Sequence, residues 1–236
     1  RGLGDVYKRQ IEGRYNGPPN SANGGYTAGL LARELSGPVQ VRLLSPPPLA
    51  TPLRLETDSA MASLFHDDTK IAEATVCQLE SHTPECPDQE RIVNTHGTYP
   101  DIHHHQLPSC FVCGPARSAE DGLAIFPIPF DDHGVGCLWR PHKSVHDGSG
   151  RIPSEILWAA MDCPGYFAHR QPENLMLLGS MSAEIFNLPK ADQTFTVCGW
   201  QDRIDGRKYY SITAIFDQQG ELCGKSEQVW ITLRPN

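Results

Sequence analysis

The sequence predicts an α+β fold built from two similar halves in tandem, each with one helix followed by antiparallel strands. Clusters drawn from the chain's 20 prolines and 21 glycines separate runs of alternating apolar residues, which is the pattern of many short strands. The order of one helix and then strands occurs once in each half of the chain. With 236 residues, 39% hydrophobic and 20% charged, the composition is that of a globular protein of one or two domains, which excludes a disordered, collagenous or coiled-coil chain.

Charge and hydropathy exclude several classes of function. The net charge of −8 leaves no global positive field to attract nucleic acid or an anionic membrane. No stretch reaches the roughly 18 consecutive apolar residues that a spanning helix needs, and the N-terminus lacks the apolar core of a signal peptide. We therefore expect a cytoplasmic protein whose eight cysteines are reduced thiols.

The first ten residues stand apart from the rest of the chain. The string RGLGDVYKRQ fits no periodic template and is similar to translated sequencing-adapter read-through at the ends of metagenomic reading frames. We expect residues 1–10 to be a non-native tail. The first half is then predicted to occupy residues 11–81, with part of its native N-terminal structure missing.

The first half is predicted to contain a helix and an antiparallel meander. Asn23 can cap a helix whose apolar residues recur every four or five positions as far as Leu35, where Ser36-Gly37-Pro38 stops it. The strands that alternating apolar residues predict after it lie at 39–43, 53–55 and 71–79.

The second half repeats that order after a linker. Residues 82–108 contain few apolar residues, four prolines and five histidines, which is linker composition. Within residues 109–236, Pro153-Ser154-Glu155 marks the start of a helix that we expect to continue to His169. The strands predicted around this helix lie at 122–130, 134–139, 175–188, 194–203, 208–216 and 222–233.

Two motifs connect this repeat with a known fold. The segment CFVCGPARSAEDGL, Cys110 to Leu123, is similar to a C-x-x-C-G…G-L segment of the acyl-CoA thioesterase group related to the phenylacetate-pathway enzyme. The segment SANGGYTAGLLA, Ser21 to Ala32, is similar to the helix start of the same group. The chain thereby resembles the hotdog fold, in which a curved antiparallel sheet wraps a central helix. Two such units in tandem over residues 11–236 resemble a double hotdog, a fused version of the usual dimer.

The chain departs from the family pattern in both halves. Asn23 stands where the family commonly has a histidine, and the catalytic carboxylate that the family places seven residues after the second glycine falls on Ala32. The same count from Glu155 reaches Asp162, so the second half has the carboxylate but not the glycine pair. Because hotdog active sites form between two subunits, the resemblance implies a site to which one half contributes the helix start and the other the acid.

The resemblance implies that this site hydrolyses an acyl-CoA thioester. Gly24 and Gly25 are the candidate N–H donors to the carbonyl oxygen at a helix N-terminus. Asp162 is the candidate general base or nucleophile, and the residue types alone do not choose between these two routes. The candidate substrate-binding residues are Asn23, Ser154 and Glu155.

Each assignment has a structural alternative. The glycine pair can serve tight helix–sheet packing, and Ser154 and Glu155 can simply cap their helix. Asp162 can form a hydrogen bond between the halves or lie at the surface. It falls in an otherwise apolar helical run, where an unpaired carboxylate is costly if buried, and this favours a functional role.

A cysteine pair raises the question of a metal. Cys110-x-x-Cys113 lies close in sequence to His103–His105, and two thiolates with imidazoles can bind zinc. One such pair, with loosely spaced histidines and no second pair, predicts a thiol-lined turn more than a metal site. We assign no metal-binding residue from the sequence, and Cys163 is expected to pack in the core.

Other functions remain open at this stage. An enoyl-CoA hydratase of the same fold needs an Asp-His pair a few residues apart, which Asp162 and His169 match poorly. A non-catalytic acyl-CoA or lipid-binding module and a structural zinc protein are further alternatives. P-loop, dinucleotide-binding and zincin motifs are absent. We expect a small-molecule acyl-CoA as partner, no cofactor beyond the coenzyme A of the substrate, and a homodimer of double hotdogs.

Overall fold

The computed structural model describes residues 5–82, 84–94, 98–170 and 174–233. Within these ranges the chain forms three α-helices and eleven strands. Their bounds are β1 Asp5–Arg9, α1 Gly24–Ala32, β2 Val39–Leu43, β3 Leu53–Thr57, β4 Met61–His66, β5 Thr69–Val76, α2 Gln89–Asn94, β6 Ile128–Pro129, β7 Gly134–Trp139, α3 Ser154–Phe167, β8 Met176–Ile185, β9 Phe195–Asp205, β10 Lys208–Phe216 and β11 Leu222–Thr232.

All eleven strands belong to one antiparallel sheet. The strand order is β1-β3-β4-β5-β2-β8-β11-β10-β9-β7-β6, so the two halves meet where β2 pairs with β8. From this joint outward, the first half runs β2-β5-β4-β3-β1 and the second runs β8-β11-β10-β9-β7. Apart from the two-residue β6 at the edge of the second half, each half is thus a strand, a helix and four further strands, which confirms the α+β fold of two tandem units predicted from the sequence.

The helices α1 and α3 lie inside the curve of the sheet and pack against each other. Seven of the nine residues of α1 and eleven of the fourteen of α3 are buried. A helix that is buried on all sides needs few polar residues, which is why neither helix shows a polar face. Gly25 of α1 lies against Asp162, and Gly29 lies against Glu155, so the two helices run antiparallel.

One predicted strand is much shorter than expected. The sequence predicted a strand over 122–130, but only Ile128–Pro129 pairs with β7. Leu123 and Ile125 instead donate their N–H groups to the carbonyls of Phe111 and Val112. Prolines at 127 and 129 have no N–H to donate, so a longer ladder could not form here.

The connection between the halves is not an isolated linker. Within residues 82–108 it contains α2, and Tyr99 packs its ring against Phe126 and Phe167 at centroid distances of 4.8 and 5.2 Å. The polar segment therefore runs over the surface of the second half and packs against part of it. The boundaries at 82 and 108 stay predictions.

The N-terminal residues have a place in the sheet. Asp5–Arg9 pairs antiparallel with Leu53–Thr57 as an edge strand, in the position that β7 occupies in the second half. Strand pairing does not report on the origin of a sequence, so the expectation of a non-native tail stays a prediction. None of the helices in the described ranges is long and apolar enough to cross a membrane.

Candidate active site

A cavity of about 660 Å³ opens where the two halves meet. The first half contributes the N-terminus of α1 and the end of β2, through residues such as Gly24 and Leu43. The second half contributes α3, β8 and β11, through Asp162, Leu178 and Trp230. The wall is predominantly apolar, as is usual for a small-molecule site with a few directed polar groups.

Asp162 is the carboxylate of this cavity. It lies in the middle of α3 and is only 2% exposed. Its Oδ2 accepts two hydrogen bonds from the first half, one from Asn23 Nδ2 at 2.6 Å and one from the N–H of Gly25 at 3.1 Å. Its Oδ1 has no hydrogen-bond partner among the described residues. One oxygen is therefore held in place, and the other is buried without a partner in the cavity wall.

The surroundings raise the pKa of Asp162 from 3.8 to about 7. Burial is the main cause, because it penalises the charged form, and the nearby Cys110 adds to it. The hydrogen bonds from the Gly25 N–H and the Asn23 amide act in the opposite direction, because they stabilise the carboxylate. A carboxyl group in this range exchanges a proton with its surroundings near neutral pH.

Asn23 has two roles in the structure. Its Oδ1 accepts the N–H of Tyr26 at 2.9 Å, which caps α1 as the sequence predicted. Its Nδ2 donates to Asp162, so one amide side chain links the helix cap to the carboxylate of the other half. Asn23 also lines the cavity, and its assignment to substrate binding stays a prediction.

The two glycines have different positions. A Cβ on Gly25 would lie 2.7 Å from Asp162 Cβ and from the carbonyl oxygen of Trp158, so only glycine lets α1 approach α3 this closely. The N–H of Gly25 is already donated to Asp162. Gly24 lines the cavity, and its N–H has no acceptor among the described residues. Of the two predicted donors, Gly24 is the one whose N–H is free for a ligand.

Ser154 and Glu155 are not brought to this cavity. They begin α3, two helical turns before Asp162, and lie against the C-terminal end of α1. Glu155 accepts a hydrogen bond from Arg33 at 2.9 Å and forms an ion pair with it. By the internal repeat, Ala32 corresponds to Asp162, so the end of the helix pair near Ala32 has no second carboxylate of this kind. The ion pair between Arg33 and Glu155 lies there instead.

The wall next to Asp162 contains three thiols that we call the thiol cluster: Cys110, Cys113 and Cys163. All three are buried, and their sulfur atoms lie within 4.8 Å of one another. The sequence indicated the first two as a pair but gave no sign of Cys163, which is fifty residues further along the chain. All eight cysteines are free thiols in the structure.

The histidines near the cysteine pair do not join the thiol cluster. His104 is exposed and pairs with Asp101 at 2.8 Å. His105 is buried, with Nε2 at 2.9 Å from the hydroxyl of Tyr99 and Nδ1 accepting the N–H of Leu107 at 3.0 Å. Both ring nitrogens of His105 are therefore occupied by protein groups.

The remaining cavity wall was not predicted as functional. Tyr166 of α3 donates its hydroxyl hydrogen to Gln106 Oε1 at 2.8 Å, which joins the helix to the connection between the halves. Leu178 of β8 lies against Gly24 at the start of α1, and Trp230 of β11 lines the same cavity. No local signal marks such residues, because a wall residue and a core residue have the same apolar character.

Solved structures with the same architecture are known. A tesB protein from Mycobacterium avium subs paratuberculosis is similar with a TM-score of 0.65 at 15% identity, over 97% of this chain and 93% of its own. A conserved protein of unknown function with hot dog fold from Alicyclobacillus acidocaldarius has a TM-score of 0.65 at 14% identity, over 100% and 97%. An acyl-CoA thioesterase II, TesB2, from Mycobacterium marinum has a TM-score of 0.63 at 12% identity, over 98% and 94%.

These similarities extend over nearly the whole of each chain. They confirm that the fold is a double hotdog, as the sequence predicted. No protein-family model matches the chain, and no curated protein sequence matches it. At these levels of identity the structural similarity establishes the fold, and function has to be argued from the cavity.

Proposed function

We propose that this protein hydrolyses the thioester bond of an acyl-CoA in the Asp162 cavity. The observation that carries this proposal is the carboxylate of Asp162 in the wall of an apolar cavity, held through Oδ2 by Asn23 and Gly25 and without a partner at Oδ1 among the described residues. Such a group has the fixed orientation that a base or nucleophile needs. The names of two similar structures, a tesB protein and an acyl-CoA thioesterase II, support the choice of thioesters as the substrate class.

The first step of the reaction requires a donor for the thioester oxygen. Negative charge grows on this oxygen as the carbonyl carbon is attacked. The N–H of Gly24 lies at the N-terminus of α1, in the cavity wall and without an acceptor among the described residues. The partial positive charge of a helix N-terminus adds to the stabilisation that this N–H provides. We assign the carbonyl oxygen to Gly24 and the orientation of the acid to Gly25.

The second requirement is an attacking oxygen. Oδ1 of Asp162 can take a proton from a water molecule that attacks the carbonyl carbon, and the coenzyme A thiolate then leaves. In the other route Oδ1 attacks the carbonyl carbon itself, the coenzyme A thiolate leaves, and water hydrolyses the resulting anhydride. The two routes differ in whether the acyl group is joined to Asp162 in an anhydride. A single turnover in heavy-oxygen water puts heavy oxygen into the Asp162 peptide if water attacks the anhydride at the Asp162 carbonyl carbon, and hydroxylamine trapping detects the anhydride whichever carbonyl carbon water attacks.

The test of the proposed function is thiol release from short, medium, long and aromatic acyl-CoA esters. We expect turnover by the parent chain and a loss on the order of a hundredfold or more in kcat for Asp162→Asn, because the amide keeps the size of the side chain but cannot act as a base. Asp68→Asn removes an exposed acid that does not line the cavity and is the matched control, with unchanged kcat.

Three outcomes would contradict the proposal. Full activity in Asp162→Asn would place the chemistry on another residue. Addition of water to an enoyl-CoA without thiol release would make the protein a hydratase. Tight binding of acyl-CoA by the folded parent without any turnover would make it a non-catalytic binding module.

A further inference from the structure

We propose that Cys110, Cys113 and Cys163 form a binding site for a thiophilic divalent metal ion of the zinc class in the cavity wall. The proposal concerns metal binding alone and stands whether or not the cavity hydrolyses thioesters. It rests on the positions of the three sulfur atoms, on the local structure of the cysteine pair, and on the opening of the thiol cluster towards the cavity.

The sulfur positions suit a tetrahedral ion. Cys110 Sγ and Cys163 Sγ are 3.8 Å apart, and all three sulfur atoms lie within 4.8 Å of one another. Zinc binds thiolate sulfur at about 2.3 Å, so two sulfur ligands of a tetrahedral zinc ion are about 3.8 Å apart. The three thiols therefore need only small side-chain shifts to reach one ion.

The cysteine pair is held in a tight turn that turns both sulfur atoms inward. The N–H of Cys110 donates to the carbonyl of Leu107 at 3.0 Å, and the N–H of Phe111 donates to the carbonyl of Asn16 at 2.7 Å. The N–H of Gly114 donates to the carbonyl of Cys110 at 2.9 Å. A Cβ at position 114 would lie 2.4 Å from the carbonyl oxygen of Pro108, so the turn requires glycine there. The loop is thus shaped before any ion binds, which lowers the cost of ordering it around a metal.

The fourth position of the ion faces the cavity. All three cysteines line the cavity, and both ring nitrogens of the nearest buried histidine, His105, are taken by Tyr99 and Leu107. Three protein ligands and an open fourth position are the arrangement of an accessible zinc site. An ion here would also tie the loop at Cys110–Cys113 to α3 through Cys163, beside Asp162.

The first test measures zinc bound to the full chain. The protein is purified with a phosphine reductant that keeps the thiols reduced, loaded with zinc, freed of unbound metal by gel filtration, and measured by plasma mass spectrometry. We expect one zinc per chain in the parent and in Cys137→Ala, a buried thiol outside the thiol cluster. Cys110→Ala, Cys113→Ala and Cys163→Ala are each expected to lose most of the bound zinc.

A second measurement needs no variant and so does not depend on how well the variants fold. Cobalt replaces zinc in the unaltered protein, and its absorption spectrum reports thiolate ligands and tetrahedral geometry. Metal loading should also slow the alkylation of these three cysteines relative to metal-free protein and leave the rates at the partly exposed Cys77 and Cys86 unchanged, as peptide mapping can show. Zinc well below one per folded, reduced chain, a cobalt spectrum without a thiolate band, or equal zinc in the cluster variants and Cys137→Ala would overturn the proposal.

Discussion

At the scale of single residues, the site depends on how one buried carboxylate is held. Asp162 loses its hydration in the cavity wall. Two hydrogen-bond donors compensate for this loss, the amide of Asn23, which is 139 positions earlier in the chain, and the backbone N–H of Gly25. A buried carboxylate without such donors would cost several kcal/mol. Asn23 is therefore a positioning residue whose effect on the reaction acts through Asp162.

Replacing Asn23 by serine separates its two roles. Serine is also a good N-cap, so Asn23→Ser should keep the cap of α1, while its short hydroxyl cannot replace the amide donor to Asp162. Any loss in the free energy of unfolding should then come from the lost donor alone. A hydrogen bond to a charged group contributes about 1.5–3 kcal/mol, so kcat should fall about tenfold to a hundredfold with a smaller change in KM. Steady-state kinetics and urea unfolding of the same preparation check this.

The matched variant Asn23→Ala removes the cap as well. It should lose about 1 kcal/mol more stability than Asn23→Ser, with a similar loss in kcat. If Asn23→Ser kept the parent's kcat, the amide donor would have no part in orienting Asp162, and Asn23 would be a helix cap only.

His169 gives the molecule a dependence of stability on pH. Burial lowers its pKa from 6.5 to about 4, and its ring packs edge-on against Tyr209 at a centroid distance of 5.1 Å. Between these values the unfolded chain binds a proton that the folded chain excludes, so the free energy of unfolding should fall as the pH is lowered from about 6.5 to about 4. Above that window the full stability is present.

Chemical denaturation across this pH range, in the parent and in His169→Gln, measures the effect. The variant has no imidazole to protonate and should show a shallower fall in stability over the window. His103→Gln, on an exposed turn, is the control and should follow the parent. Parallel curves for the parent and His169→Gln would mean that other groups cause the dependence.

At the scale of elements, the packing of α1 on α3 requires glycine. A Cβ on Gly29 would lie 2.5 Å from Glu155 Cα and 2.9 Å from Trp158 Cβ, and neither atom can move away by a side-chain rotation. Because alanine favours a helix over glycine by about 1 kcal/mol, Gly29→Ala would stabilise an isolated helix. In this protein the helices must separate, so the clash should exceed that gain.

We expect Gly29→Ala to lower the free energy of unfolding by about 2 kcal/mol. This value is an overpacking cost of about 3 kcal/mol minus a gain of about 1 kcal/mol in helix propensity. Thermal and urea unfolding measure this directly. Gly148→Ala, where a Cβ meets nothing within 4 Å, is the control and should be close to neutral. A stabilised Gly29→Ala would show that the helices are further apart than described.

At the scale of the whole molecule, the two halves share one sheet and one core. Strands β2 and β8 pair over Val39–Arg42 and Ser180–Ala183, and a single cluster of buried residues includes side chains of both halves. Cutting between the halves would expose the facing surfaces of α1 and α3. Neither half therefore has a complete core of its own.

Unfolding should consequently be one cooperative transition. Differential scanning calorimetry should give a single peak whose calorimetric and van't Hoff enthalpies agree. Tryptophan fluorescence, which reports on the second half through Trp139, Trp158, Trp200 and Trp230, should change at the same urea concentration as the circular dichroism of the whole sheet. Two separate transitions would show that the halves are independent domains.

The sequence alone determined what depends on neighbours along the chain. The periods of apolar residues and the turn residues predicted α1, α3 and most of the strands, though not β1 or β4, and β10 was predicted with the bounds the structure has. Counting seven residues from Glu155, as in the family pattern, identified Asp162 as the candidate carboxylate. The position of Asn23 directly before a helix identified it as the N-cap. Failures occurred where local chemistry was misjudged, as at the prolines that restrict β6 to Ile128–Pro129.

Only the tertiary structure decided which of these residues meet. It joined Asp162 to Asn23 and Gly25, left Gly24 facing the cavity, and placed Ser154 and Glu155 at the opposite end of the helix pair. It also added Cys163 to the cysteine pair. The physical reason is that local patterns report the spacing within one helix or strand. Strand register and helix crossing are set by burial across the whole chain, and they bring distant side chains to one wall.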